Sequence, residues 1–232
     1  MMSNKEEFIV VGGEGDPSVV LLPGWATDGR IFDGILPGVT AVTTGPLRPA
    51  GFPRRLAAFL DRTARNPVTI VGWSLGGFLA AEFAREHRDR VRRVVLVGIR
   101  RGYPEGDVAG VLRSLLADPG SCLPAFYARC FYPSQMAAYR RFRSGLQPAY
   151  LREMDPGVLR DGLSYLADAR LSGEALPACP VAIVHGEEDV VAPLAEAEGV
   201  ARESGRATFH PLPGAAHAAF LADGFRAVVA DG

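Results

Sequence analysis

A serine enclosed by glycines lies at positions 72–76, where the chain reads Gly-Trp-Ser-Leu-Gly. This G-x-S-x-G pattern is typical of a sharp turn from a strand into a helix, which holds the serine in a strained conformation with its hydroxyl exposed. Gly72 and Gly76 leave room for the turn, and Gly77 lets the helix begin close to the strand. The segment therefore predicts that Ser74 is a nucleophile at a helix N-terminus.

A serine hydroxyl becomes nucleophilic when a base removes its proton and an acid orients that base. Two later segments supply such groups, GEEDVVAP at 186–193 and PGAAHAAF at 213–220. Each follows a predicted strand, so Asp189 and His217 are both expected in loops. We predict a catalytic triad of Ser74, His217 as the base and Asp189 as the acid that orients it.

The other three histidines are weaker candidates for the base. His210 is the rival of His217, but it lies at a strand end, where a packed or hydrogen-bonded histidine is the commoner outcome. His87 follows the predicted helix in a charged turn, and His185 ends a strand. We expect both to be structural.

Seven short segments rich in β-branched residues are predicted strands, and several of them are apolar throughout. They are residues 8–11, 19–22, 39–43, 68–72, 94–98, 181–186 and 207–211. Continuous apolar strands separated by helices indicate a parallel sheet that is covered on both faces. The pattern predicts a doubly wound α/β fold.

Residues 100–176 interrupt this alternation, because they contain no convincing strand and read as several short helices punctuated by prolines. We predict a helical cap, 100–176, inserted into one α/β core that consists of 1–99 and 177–232. A chain of 232 residues is long enough for one such domain.

GWSLGG, G-x-x-D-x-x-x-P and G-x-x-H, in this order, resemble the α/β-hydrolase superfamily over nearly the whole chain. LLPGW at 21–25, together with GWSLGG, resembles the pimeloyl-[acyl-carrier protein] methyl ester esterases of biotin synthesis. The resemblance favours Asp189 over its neighbours Glu187 and Glu188, because Val-Val-Ala-Pro follows it. It also implies a serine ester hydrolase that forms an acyl-enzyme and needs neither cofactor nor metal.

The resemblance further implies an oxyanion hole made of the backbone N–H groups of Leu75 and Trp25. Relatives usually begin the second loop with His-Gly, whereas this chain has Pro23-Gly24. The packing that the histidine provides must therefore come from elsewhere. Trp25 and Trp73 are expected to line the substrate pocket.

The predicted cap has an uneven charge. Residues 119–152 contain no acidic residue but five arginines: Arg129, Arg140, Arg141, Arg143 and Arg152. The stretch 133–145 predicts a helix capped by Ser134 and closed by Gly145. Arginines near a helix C-terminus also favour its dipole, so they are either structural or a docking patch for an acidic partner such as acyl carrier protein.

The whole-chain charge is almost balanced, with 25 Lys and Arg against 26 Asp and Glu, which argues against nucleic acid or a membrane as partner. The N-terminal stretch lacks the pattern of a secretory signal, and three cysteines without metal-ligand spacing fit reduced thiols. We expect a cytoplasmic protein.

Three functions follow. The first is demethylation of a pimeloyl-[acyl-carrier protein] methyl ester. The second is a general carboxylesterase for small esters that needs no carrier protein. The third is a non-catalytic binding protein of the same fold, which would be expected to lack a triad member.

Overall fold

In the computed structural model, residues 7–230 are described, and seven strands among them form one sheet in the order β1-β3-β2-β4-β5-β6-β7. The strands are β1 Phe8–Val11, β2 Val19–Leu22, β3 Ala41–Thr44, β4 Val68–Trp73, β5 Val91–Val97, β6 Val181–Gly186 and β7 Thr208–Leu212. Only the pairing of β1 with β3 is antiparallel. The predicted α/β fold is confirmed, and each predicted strand overlaps an observed one.

Helices cover both faces of this sheet. They are α1 Phe52–Thr63, α2 Leu75–Glu86, α3 Glu105–Ala117, α4 Pro119–Phe131, α5 Met136–Ser144, α6 Gln147–Glu153, α7 Pro156–Asp168, α8 Leu194–Ser204 and α9 Asp223–Ala230. The strands β2, β4 and β6 are buried at every position, as expected for parallel strands beneath two helical layers. Their carboxyl ends point to the same edge of the sheet, where the loops that follow them meet.

Five consecutive helices, α3 to α7, separate β5 from β6, and we call them the inserted helices. The division of the chain into a core and a cap stays a prediction, and the outermost core positions, 1–6 and 231–232, lie outside the described residues.

The start of α5 differs from the prediction. The helix begins at Met136 with Gln135 as its N-cap residue, so the expected cap at Ser134 is wrong, whereas Gly145 does follow the last turn. The backbone N–H of Gln135 donates to Phe131 O, which continues the end of α4 into a tight connection. Ser134 lies within that connection instead of at the helix terminus.

Gly72 and Gly76 are required where β4 turns into α2. A Cβ atom at Gly72 would collide with the carbonyl oxygen of Gly76, and a Cβ atom at Gly76 would collide with that of Leu22 in β2. These neighbours are backbone atoms, which cannot move aside as a side chain can. The strand, the turn and the neighbouring strand therefore approach one another as closely as glycine permits.

We predict that Gly72→Ala and Gly76→Ala each lower the free energy of unfolding by roughly 1–3 kcal/mol, because the added methyl group overpacks the turn. Urea denaturation would measure the loss. Gly110→Ala is the matched control: it lies inside α3, an added Cβ would meet only the end of Arg113 at 3.9 Å, and alanine should raise stability by up to about 1 kcal/mol. Equal effects at the three positions would contradict this account.

Candidate active site

Ser74 occupies the turn between β4 and α2 in a conformation that few residues other than glycine adopt, with φ 54° and ψ −116°. Two hydrogen bonds fix this backbone: the N–H of Ser74 donates to Val97 O at 2.9 Å, and the N–H of Gly77 donates to Ser74 O at 2.8 Å. Strain of this kind persists only where the surrounding structure imposes it. The predicted strand-turn-helix context of the serine is thus present.

Asp189 lies in the loop after β6 and is buried. Its Oδ1 accepts the backbone N–H groups of Val191 and Ala192, both at 2.8 Å, so the carboxylate is held from its own loop. Its Oδ2 lies 2.8 Å from Nδ1 of His217. Burial alone would raise the pKa of Asp189, but the charge and hydrogen bond of His217 outweigh it, and the pKa is lowered.

His217 lies in the loop after β7 with a fully buried side chain. The indole Nε1 of Trp73 donates to the carbonyl oxygen of His217 at 2.9 Å, and the two rings lie 5.5 Å apart. On the other side, a Cβ at Gly98 would approach the imidazole to 3.1 Å. The histidine is thus enclosed by the ends of β4 and β5.

The structure joins Asp189 to His217 directly but does not join His217 to Ser74 by a hydrogen bond. Within residues 7–230, His217 Nε2 has no hydrogen-bond partner. Ser74 Oγ lies instead 3.4 Å from the hydroxyl of Tyr103. Catalytic hydrogen bonds are often long or unformed in the absence of substrate. The hydrogen bond between Ser74 and His217 is therefore expected to form when substrate binds.

Tyr103 was missed by sequence reasoning. It lies between β5 and α3, with the Arg100 guanidinium 5.0 Å from the centre of its ring. Burial raises the pKa of Tyr103 to about 12, so its hydroxyl is neutral near pH 7. The available signal was its position shortly after the end of a central parallel strand, where ligands of α/β sheets bind.

Ser74 lines a cavity of about 790 Å³ between the sheet edge and the inserted helices. Residues from α3, α4 and α7 form most of its wall, including several small ones. Among the lining residues are Trp25, Tyr103, Gly106, Gly110, Ser114, Ala125, Phe126 and Leu163. A cavity of this size accommodates a ligand much larger than a short ester.

The two predicted oxyanion donors lie in the segments that follow β4 and β2. Leu75 is the first residue of α2, and Trp25 follows β2. Among the described residues, neither backbone N–H donates a hydrogen bond, so both are available to a ligand. Trp25 also lines the cavity, with its indole N–H donating to Leu159 O at 2.8 Å.

Trp73 does not line this cavity in the described structure, contrary to the expectation. It packs against Gly24, where an added Cβ would lie 3.0 Å from the ring, and against Phe220, at 4.9 Å between ring centres. Trp73 therefore supplies packing beneath the Pro23-Gly24 loop, the support that the sequence left unassigned.

Comparison with known proteins decides the family. Residues 19–231 match the alpha/beta hydrolase family. The chain belongs to the alpha/beta hydrolase family. It is 31% identical to a pimeloyl-[acyl-carrier protein] methyl ester esterase of Methylococcus capsulatus over 94% of both chains. It is 29% identical to the esterase of that name from Aromatoleum aromaticum, over 88% of this chain and 92% of the other.

A solved structure of similar architecture is the enol-lactonase from Burkholderia xenovorans, with a TM-score of 0.82, 16% identity and coverage of 97% of this chain and 94% of the other. The fold of this alpha/beta hydrolase is thus shared with enzymes of very different sequence. The family and the esterase relatives together establish that the chain is a hydrolase.

Of the five arginines predicted as a docking patch, three lie on α5 of this alpha/beta hydrolase, whereas Arg129 lies on α4 and Arg152 on α6. Arg140, Arg141 and Arg143 are exposed, and within residues 7–230 none of their guanidinium groups forms an ion pair. They do not line the cavity, whereas Arg129 does. The three arginines of α5 are therefore outside the pocket and open to solvent.

No group of three His, Cys, Asp or Glu side chains among the described residues is placed to hold a metal ion. Between residues 7 and 230, no helix has both the length and the apolarity needed to cross a membrane.

His210 and His87 contact other residues than those of the predicted triad. His210 Nε2 contacts the Thr208 hydroxyl at 2.8 Å on β7, and His87 stacks on Phe83 at 4.8 Å. His185, in contrast, lies beside Asp189: its Nε2 is 2.8 Å from Ala192 O and 3.4 Å from Asp189 Oδ2. Its ring is fully buried, and burial lowers the pKa of His185.

This shift predicts a loss of stability in mild acid. Below about pH 6.5 the unfolded chain protonates His185 while the folded protein does not, so protons favour unfolding as the pH falls towards the lowered pKa. His185→Gln removes the titrating group and should flatten the free energy of unfolding against pH in this range, where one proton contributes up to about 1.4 kcal/mol per pH unit. Urea titrations between pH 5 and 7 would measure it. An unchanged slope would contradict the assignment.

Proposed function

We propose that this hydrolase cleaves carboxylic esters through an acyl-enzyme formed on Ser74. The observation that carries the proposal is the buried 2.8 Å hydrogen bond between His217 Nδ1 and Asp189 Oδ2, at the same sheet edge as the strained serine. This is the base and orienting acid that a serine nucleophile requires. A binding protein of the same fold would have no need to keep all three residues.

The reaction begins when Ser74 Oγ attacks the ester carbonyl carbon and His217 Nε2 takes the hydroxyl proton. The tetrahedral intermediate collapses, the bond to the alcohol oxygen breaks, and His217 returns the proton to the departing alcohol. Water then attacks the acyl-serine by the same route, releasing the carboxylic acid and restoring Ser74. Nε2 of His217 has no partner among residues 7–230, which supports its role as base.

Asp189 holds His217 with Nδ1 protonated and Nε2 free to accept a proton, and it stabilises the imidazolium that forms. Its lowered pKa keeps it ionised at neutral pH. The Leu75 and Trp25 N–H groups would hold the oxyanion, because neither is used within the described protein. Ser74 Oγ must turn from Tyr103 towards His217 for this step. No cofactor or metal takes part in this mechanism.

For the substrate we infer a pimeloyl thioester of acyl carrier protein that bears a methyl ester at its far end. Relatives of that name at 27–31% identity support this choice. The cavity of about 790 Å³, with Trp25 in its wall, has room for a long acyl chain. The exposed arginines Arg140, Arg141 and Arg143 would attract an acidic carrier protein. A carboxylesterase for small esters remains the second candidate, because the triad alone does not require a carrier.

We predict that Ser74→Ala abolishes ester hydrolysis and labelling by a fluorophosphonate, while the fold remains. The loss in turnover should approach about 10⁶-fold, as reported for subtilisin when its nucleophile is removed. Activity on p-nitrophenyl butyrate and mass spectrometry of the labelled protein would measure both. Ser114→Ala is the matched control, because Ser114 also lines the cavity but belongs to α3.

The same assay separates the competing acids and bases. His217→Ala and Asp189→Asn should slow acylation by several orders of magnitude, whereas His210→Ala, Glu187→Gln and Glu188→Gln should change it little. Labelling of another serine in the Ser74→Ala protein, or an inactive His210→Ala protein, would refute the assignment.

Hydrolysis of the carrier-bound ester should depend on the positive charge of α5, whereas hydrolysis of a small ester should not. Reversing Arg140 and Arg143 to glutamate should raise KM for a carrier-bound methyl ester and flatten its salt dependence, because the Debye length falls from about 10 Å at 0.1 M to about 3 Å at 1 M. Turnover of a p-nitrophenyl ester should stay nearly constant, since these side chains lie outside the cavity.

The control for this experiment reverses Arg54 and Arg88, which are exposed and lie outside the inserted helices, and so changes the net charge equally. Equal losses on both esters in the first variant would assign the arginines to helix structure. No loss on either ester would favour the small-ester carboxylesterase.

A further inference from the structure

The loop that carries His217 is buried, so its backbone N–H and C=O groups need hydrogen-bond partners within the protein. Ala215, Ala216, His217 and Ala218 are all 0% exposed, so water cannot satisfy their backbone groups. Three of the four are alanines, whose side chains offer no polar anchor. The backbone groups of the loop must therefore find their hydrogen-bond partners within the protein, either in the loop or in other parts of the chain.

One side chain from the inserted helices bonds to the residues on both sides of His217. Gln135 Oε1 accepts the backbone N–H of Ala216 at 3.1 Å, and Gln135 Nε2 donates to the carbonyl oxygen of Ala218 at 3.0 Å. Because the N–H can only donate and the carbonyl can only accept, the orientation of the amide is determined. A third bond from the same region runs from the Ala218 N–H to Cys130 O, at 3.0 Å.

Because the Gln135 side chain bonds to the His217 loop, it does not cap the N-terminus of α5. Gln135 is the N-cap residue of α5, a position where Ser, Thr, Asp or Asn would accept a first-turn N–H, yet its side chain makes no capping hydrogen bond. The amide faces the His217 loop instead. A side chain that carries both a donor and an acceptor is needed to bridge an N–H and a carbonyl two residues apart.

The imidazole packs against Trp73 and makes one hydrogen bond among the described residues. His217 Nδ1 bonds to Asp189, and Nε2 has no partner among the described residues. The placement of Nε2 relative to Ser74 therefore depends on the backbone at 216–218. We infer that Gln135 is a positioning residue for His217, an inference that rests on the proposed role of His217 as the general base. The inserted helices would then hold the catalytic base as well as enclose the cavity.

The test replaces Gln135 with methionine, which has a similar length but no hydrogen-bonding amide. We expect Gln135→Met to lower kcat for p-nitrophenyl butyrate by between about 10-fold and 100-fold, since small displacements of catalytic groups cost this much. KM should change less than about twofold, because Gln135 does not line the cavity. The rate of fluorophosphonate labelling should fall with kcat, because both need the base.

Gln147→Met is the matched control. Gln147 is buried at the start of α6, and its Oε1 has no partner among the described residues, so the same substitution removes no bond to the His217 loop. Gln135→Glu is the second variant: it retains the acceptor for Ala216 and loses the donor to Ala218, so its kcat should also fall. This polar variant keeps the test valid if Gln135→Met does not fold.

A spectroscopic measurement separates positioning from simple stability. The proton between His217 Nδ1 and Asp189 should give a low-field NMR signal, which Gln135→Met should shift or broaden and Gln147→Met should leave unchanged. Wild-type kcat and an unchanged signal in folded Gln135 variants would overturn the inference, even if their Tm were lower. Activity retained by His217→Ala would instead overturn the proposed function.

Discussion

The close approach of the β4–α2 turn to the end of β2 is the constraint on which the candidate site depends. Gly72 and Gly76 allow backbone atoms to approach where any Cβ would collide, and Ser74 between them has a positive φ of 54°. The first N–H of α2 is thereby brought next to the loop that carries Trp25. A looser turn would move the serine away from the loop that carries Trp25.

The loops around this turn carry buried polar groups that the inserted helices satisfy. Tyr127 donates its hydroxyl to Ala26 O at 2.6 Å, where Ala26 has a φ of 59°. Tyr150 donates to Asp28 O at 3.3 Å, and the Trp25 indole donates to Leu159 O. An unmade hydrogen bond in such a place costs about 1–3 kcal/mol, so the helices and the loops are held together strongly.

The sequence predicted the features that depend on local spacing. The strands, the turn at Ser74, and the loops of Asp189 and His217 each follow from a short pattern of apolar residues, glycines and one polar side chain. Tyr103 and Gln135 could not be found from local spacing. Tyr103 contacts Ser74, which lies 29 positions away, and Gln135 bonds to Ala218, which lies more than 80 positions away. The error at Ser134 has the same origin. Local preference favoured serine as the cap, but the continuation of α4 and the distant partners of Gln135 determined where α5 begins.

Asp189 has two buried histidine neighbours, which differ in their distance from its carboxylate and in their other hydrogen bonds. His185 and His217 both approach Oδ2, at 3.4 Å and 2.8 Å. Burial lowers the pKa of His185, so at neutral pH its ring is uncharged and its Nε2 proton is donated to the nearer carbonyl of Ala192. A charged His185 would compete for the carboxylate and weaken its attraction for an imidazolium at His217. Because His185 is neutral, the negative charge of Asp189 acts mainly on the histidine that would gain a proton during the reaction.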